Sequence, residues 1–152
     1  MPLMPLFAGF QRMTQVKRYT QAILGQFRSL EITYNAKRDD YHSHFHALLA
    51  VPPSYFNGTH DLYIKQPEWV ALWRDAMRVD YDPSVDVRII RANKNREGSD
   101  AISSAAAEVA KYAAKPNIYD LPPDALETVI DTLDGALKGR RSFVWTIVEN
   151  CL

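Results

Sequence analysis

The sequence predicts an α+β domain, an antiparallel sheet flanked by helices, and three observations carry that expectation. Apolar residues recur at helical spacing near the N-terminus and again after Lys65. Between those stretches the pattern becomes that of extended chain on either side of a charged turn, Asn35 to Asp40, as in a β-hairpin. The segments then follow the order helix, strand, strand, helix, strand, helix, helix, which suits an antiparallel sheet with helices packed on it.

The elements can be justified in turn. Phe7, Phe10, Met13, Val16 and Tyr19 place an apolar stripe along one helix from Leu6 to Tyr19, with Arg12, Lys17 and Arg18 towards solvent. Ile23, Phe27, Leu30, Ile32 and Tyr34 then mark a strand near 23–35, which the turn joins to a second strand near 42–51. Paired prolines and Asn57-Gly58 make 51–61 a loop, in which Tyr55 and Phe56 are expected to be core residues. Pro67 opens the next helix, with Trp69, Leu72, Trp73 and Met77 on its buried side. Val85, Val87 and Ile89 alternate with Asp86 and Arg88, as in a half-buried strand. A basic loop leads through Ser99 or Asp100, good helix caps, into the alanine-rich helix 101–115, which ends at Pro116. A further helix covers 121–139, and the pattern of 140–152 fits a strand or a helix.

With 152 residues, no internal repeat and no low-complexity linker, one domain is expected over 1–152. Eighteen Lys plus Arg balance eighteen Asp plus Glu, which excludes a global positive field, so any polyanion must be bound by local charge. The single cysteine, Cys151, excludes a disulfide framework within the chain and a thiolate metal cluster, and suits a reducing, cytoplasmic compartment. The apolar start "MPLMPLFAGF" has two prolines, no basic flank and no run long enough for a bilayer, so neither export signal nor membrane partner is expected.

Two constellations could carry chemistry. In "YHSHFHALLAV" strand alternation puts His42, His44 and His46 on one face, where imidazoles two residues apart can converge on a cation. A third donor is needed, and the turn would fold Glu31 back beside the histidines, with His42 as the competing ligand. In "EVAKYAAK" Glu108, Tyr112 and Lys115 share a helical face. A phenol with pKa ~10 is a poor nucleophile unless a neighbouring cation favours its phenolate, and Glu108 could act as base for water. Taken singly, each pattern is also that of an ordinary strand or of a core tyrosine among surface charges. A local groove for nucleic acid could be built from Arg88, Arg91, Lys94 and Arg96.

Together these residues resemble the replication initiators of small rolling-circle plasmids, in the single-tyrosine branch of the HUH endonuclease superfamily. "HFHALLAV" is similar to the metal motif, and "EVAKYAAK" to the nucleophile motif at Glu108, Lys111, Tyr112 and Lys115. "LEITYN", "SYF" and the text between the motifs extend the likeness from about Phe10 to about Arg141. The resemblance implies a ferredoxin/RRM-like HUH domain. A preceding strand motif with consecutive threonine and leucine residues has no counterpart here, so the domain is expected to lack its N-terminal strand.

The resemblance further implies that His44 and His46 hold Mn²⁺ or Mg²⁺, with Glu31 as third ligand. Tyr112 would nick single-stranded or hairpin origin DNA through a 5′-phosphotyrosine link, leaving a 3′-hydroxyl to prime synthesis. Glu108 would activate water at termination, and Lys111 and Lys115 would assist Tyr112 and grip phosphate. A homodimer and a host helicase are the implied protein partners. The alternatives are a relaxase or transposase of the same superfamily, and a non-catalytic DNA-binding domain.

Overall fold

A stripe of residues spaced by three cannot stay on one helical face, because each step turns the position by about 300° and slips it about 60° backwards. The stretch predicted as one helix over 6–19 is accordingly two in the computed structural model, which describes residues 4–58, 61–90, 123–139 and 143–147. Helix α1 spans Met4–Met13 and α2 spans Lys17–Ala22. Val16 between them is extended, with φ −70° and ψ 132°, and is 37% exposed rather than buried. The chain divides into two compact units, which are described separately.

One unit holds, of the described residues, 4–26, 49–58, 61–89 and 145–147. Within it α1 packs on α3, Gln66–Met77. Phe10 meets Trp73 edge-on at 6.5 Å, and Arg12 Nε donates to the Ala76 carbonyl at 2.6 Å, satisfying a group that the helix end leaves open. Gly9 faces Met77, and a Cβ there would run into the thioether sulfur, so any larger residue must displace the Met77 side chain. Tyr19, fully buried, stands edge-to-face with Trp69 at 5.9 Å and donates its hydroxyl to Gln26 Oε1. Burial pushes its phenol above the ordinary tyrosine range. Each such side chain removed from water contributes about 1.5–3 kcal/mol.

Helix α3 begins as predicted, with Pro67 in its first turn. Lys65 is the extended N-cap, and Glu68 puts a carboxylate in the first turn, where the helix dipole favours it. Arg18 reaches across from α2: Nε meets Glu68 Oε1 at 2.5 Å, Nη1 donates to the Asp61 carbonyl at 2.6 Å, and Nη2 donates to the Tyr63 carbonyl at 2.8 Å. That pairing holds the Glu68 carboxyl below its ordinary value. Arg78 closes the helix in the left-handed region, with φ 59°.

Besides the single N-terminal helix, two expectations fail in this unit. Phe56, expected in the core beside the buried Tyr55, is 53% exposed. The segment expected as a half-buried strand around 85–89 belongs to no sheet among the described residues, and Val87 and Ile89 are 44% and 54% exposed. Alternation of β-branched residues favours an extended backbone, but a strand also needs a ladder partner.

The other unit holds, of the described residues, 27–48, 90, 123–139, 143 and 144. Strands β1, Gly25–Asn35, and β2, Asp40–Ala50, form the antiparallel hairpin that the sequence predicts. Asn35 organises the turn, its side-chain oxygen accepting the N–H of Lys37 at 3.0 Å and of Arg38 at 3.3 Å. Asp39 takes a left-handed φ of 51° and accepts the Tyr34 hydroxyl at 2.7 Å. Helix α4, Pro123–Leu137, lies where the last predicted helix was expected, with Gly139 at φ 72° just beyond its end. The ambiguous C-terminal segment forms strand β3, Phe143–Ile147, and the sheet order is β2-β1-β3. With helices and an antiparallel hairpin, the fold class is α+β as predicted.

Candidate metal centre

The register of the hairpin decides which side chains meet. The Tyr34 and Tyr41 rings touch across it at 5.0 Å, and three positions further from the turn Glu31 comes opposite His44. His46 lies two residues on along the same face, diagonal to Glu31. Glu31 Oε2 is 3.0 Å from His44 Nε2 and 2.6 Å from His46 Nε2, each imidazole donating to the one carboxylate oxygen. The two rings stand at 89° with centroids 5.5 Å apart. The Glu31 side chain is 14% exposed, His46 26% and His44 49%, so the cluster has a covered floor and an open side.

Three donor atoms within 4.8 Å of one another can close on one divalent cation by small side-chain rotations, since ligand bonds of about 2.0–2.2 Å set donors about 3 Å apart. Two imidazoles and one carboxylate leave the remaining coordination positions to water or substrate oxygen. The residues present therefore fit such an ion.

His42, the competing ligand, is engaged elsewhere. Its Nε2 accepts from Arg38 Nη2 at 2.6 Å and lies 3.5 Å from Asp40, and it is not in the cluster with Glu31. On the opposite face of the hairpin the Arg28 guanidinium lies over the Phe45 ring at 4.7 Å, and burial lowers its pKa. Ser29, across from His46 in the same register, is fully buried, and its hydroxyl has no hydrogen-bond partner among the described residues.

Glu108, Lys111, Tyr112 and Lys115 lie outside the described residues, as do Arg91, Lys94 and Arg96. Arg88 is described: its side chain is 83% exposed and pairs with Asp86 at 2.7 Å. The clamp made by Arg18 was missed in the sequence, because its partners Asp61, Tyr63 and Glu68 are more than 40 residues away and carry no shared pattern. Among the described residues no helix is long and apolar enough to cross a membrane.

A family described as "Replication protein" matches residues 3–148. "Protein rep" of Lactiplantibacillus plantarum is 41% identical over 140 residues, covering 91% of this chain and 44% of that protein. "Replication protein" of Staphylococcus aureus is 44% identical over 107 residues, 70% of this chain and 44% of that one. "Protein rep" of Bacillus amyloliquefaciens is 38% identical over 149 residues, 90% of this chain and 43% of that one. The chain thus spans less than half the length of the curated relatives it matches. No solved structure matches it.

Proposed function

Because the chain belongs to the Rep family of replication proteins, we propose that it carries the DNA-nicking site of a rolling-circle plasmid initiator of the HUH type. The observation that carries this reading is the convergence of Glu31 with His44 and His46, three donors supplied by two strands. A bound Mn²⁺ or Mg²⁺ would polarise the scissile phosphate and offset its growing charge. Carboxylate favours either ion, and the imidazole pair favours Mn²⁺.

The chain's own residues then divide the work. Glu31, His44 and His46 would hold that ion. Tyr112 attacks the phosphorus: the bond from its phenolic oxygen forms, the bond to the 3′-oxygen breaks, and that oxygen takes up a proton to become the priming hydroxyl. Lys111 and Lys115 favour the phenolate and bind phosphate oxygens. Glu108 takes a proton from water when the tyrosine link is hydrolysed at termination. The substrate on this reading is single-stranded or hairpin origin DNA, gripped also by Arg88, Arg91, Lys94 and Arg96. A host helicase and a second copy of the chain are the protein partners.

The test is incubation with Mn²⁺ and an end-labelled hairpin oligonucleotide carrying the cognate origin. A covalent protein–DNA adduct is expected, lost in Tyr112→Phe and in His46→Ala. The proposal fails if no adduct forms, either with this chain or with one extended to the relatives' length, while calorimetry detects no metal binding.

A further inference from the structure

Phe56 and Tyr63 are 53% and 44% exposed, yet neither ring is loosely held. Tyr55, 5% exposed, receives Phe56 edge-on at 4.9 Å and Tyr63 at 5.3 Å. The Tyr55 hydroxyl accepts the N–H of Ile64 at 3.1 Å, and Arg18 binds the Tyr63 carbonyl at 2.8 Å, so the backbone beneath the rings is tied at two consecutive residues. Ile64 is 2% exposed between the exposed Tyr63 and Lys65, which places the phenol and the ammonium on the outward side of that segment. The Phe56 and Tyr63 rings stand 6.1 Å apart and tilted by 51°, so they are not stacked on each other.

Size and chemistry decide what such a surface can hold. Two half-exposed rings offer roughly 200 Å², given about 150–250 Å² for a whole aromatic side chain, against about 800 Å² per partner in a stable protein interface. A nucleobase has a flat face matched to one ring, and rigid aromatics beside a cation are the means by which proteins hold unpaired strands. In a duplex the base faces are already stacked, so only a single strand can use the rings.

We propose that Phe56 and Tyr63 form a stacking platform for bases of single-stranded DNA, with Lys65 on the adjoining phosphate. The inference rests on the reading that the chain works on DNA, and it assigns the unpaired strand to a surface separate from the ligand set of Glu31, His44 and His46. The cations here are nearly balanced: Arg18 is paired with Glu68, whose carboxyl also feels Lys65. Stacking therefore dominates, and one phosphate contact predicts a slope of log affinity on log salt of only about −0.7.

The probe is an oligothymidylate of about 15 nucleotides with one position replaced by 5-iododeoxyuridine, mixed with the full chain. Irradiation should cross-link Phe56 or Tyr63, as read by peptide mapping. Phe56→Leu and Tyr63→Leu should each weaken binding about tenfold while Mn²⁺ binding is unchanged, and Lys65→Ala should remove the salt dependence. The cross-link is read on the unmutated chain, so it does not depend on the variants folding. Cross-links that map elsewhere, with both leucine variants binding as the parent does, overturn the platform. Variants that change sedimentation of the protein but not oligonucleotide affinity overturn it too, by pointing to self-association. Ring-dependent binding keeps the platform whether or not a hairpin adduct forms; an adduct with ring-independent binding overturns the platform and keeps the nicking reading. A chain that does not bind the oligonucleotide at all overturns the platform, while the hairpin adduct alone decides the nicking reading.

Discussion

Replacing Glu31 by alanine should separate metal affinity from folding stability. The carboxylate is the one anionic donor in the cluster and touches both imidazoles, at 3.0 and 2.6 Å. Loss of a group that merely orients a ligand costs about 10–100-fold in metal affinity, so loss of a ligand should cost at least about 100-fold, or ~2.8 kcal/mol. Metal-free stability should change far less. With side-chain exposures of 49% for His44 and 26% for His46, the contacts with Glu31 resemble surface ion pairs, worth about 1 kcal/mol or less. Glu31→Gln keeps one acceptor oxygen and loses the charge, and should fall between the parent and alanine. Mn²⁺ titration by calorimetry and urea unfolding of the metal-free chain read the two quantities independently. If Glu31→Ala binds Mn²⁺ as tightly as the parent, the carboxylate is not a ligand. If it unfolds the metal-free chain, Glu31 is a structural residue of the hairpin.

Arg18→Ala should destabilise the chain by about 1 kcal/mol, since it removes a fork of hydrogen bonds to two carbonyls and a carboxylate that water can partly replace, and Arg18→Lys should recover less than half because an ammonium cannot span the fork; chemical denaturation measures both. Glu68 titrates below its ordinary value of 4.5 in the folded chain, so the stability it adds is complete above about pH 4.5 and is lost as pH falls through the lower folded value. With the Glu68 side chain 37% exposed, that amount is held to about 1 kcal/mol, and Glu68→Gln should flatten the stability profile in that acid window. Gly9→Ala should cost about 1–2 kcal/mol through its clash with Met77, yet stabilise a Met77→Ala background by up to ~1 kcal/mol, where only the better helix propensity of alanine remains. Unfolding of the single and double variants tests that reversal, and equal effects in both backgrounds would falsify the packing argument.

The hairpin was legible in the sequence because every one of its determinants is local: alternation over both strands, Asn35 at the turn, and a turn length that returns Glu31 to the histidines. The same locality explains the choice between Glu31 and His42, which the sequence left open. Only the strand register and the Arg38 side chain, which takes His42 Nε2, separate them. What failed depended on neighbours remote in sequence. Val16 matched the apolar spacing, but the drift of that spacing around a helix is relieved by a break that the sequence does not mark. Phe56 has the composition of a core residue, and its exposure follows from Tyr55 occupying the buried place beside it. Val87 and Ile89 alternate correctly, yet alternation does not supply a strand to pair with.

The three donor side chains lie within 13 and 15 residues of one another along the chain, on a single hairpin. Closing so short a loop costs little entropy, and hairpins of this size form within microseconds once their strands are stabilised. The ligand set is thus assembled by local folding, before any contact of long sequence separation is needed. Substitutions outside the hairpin can therefore change other surfaces of the protein while leaving the three candidate metal donors in place, so that the two can diverge along separate parts of the same chain.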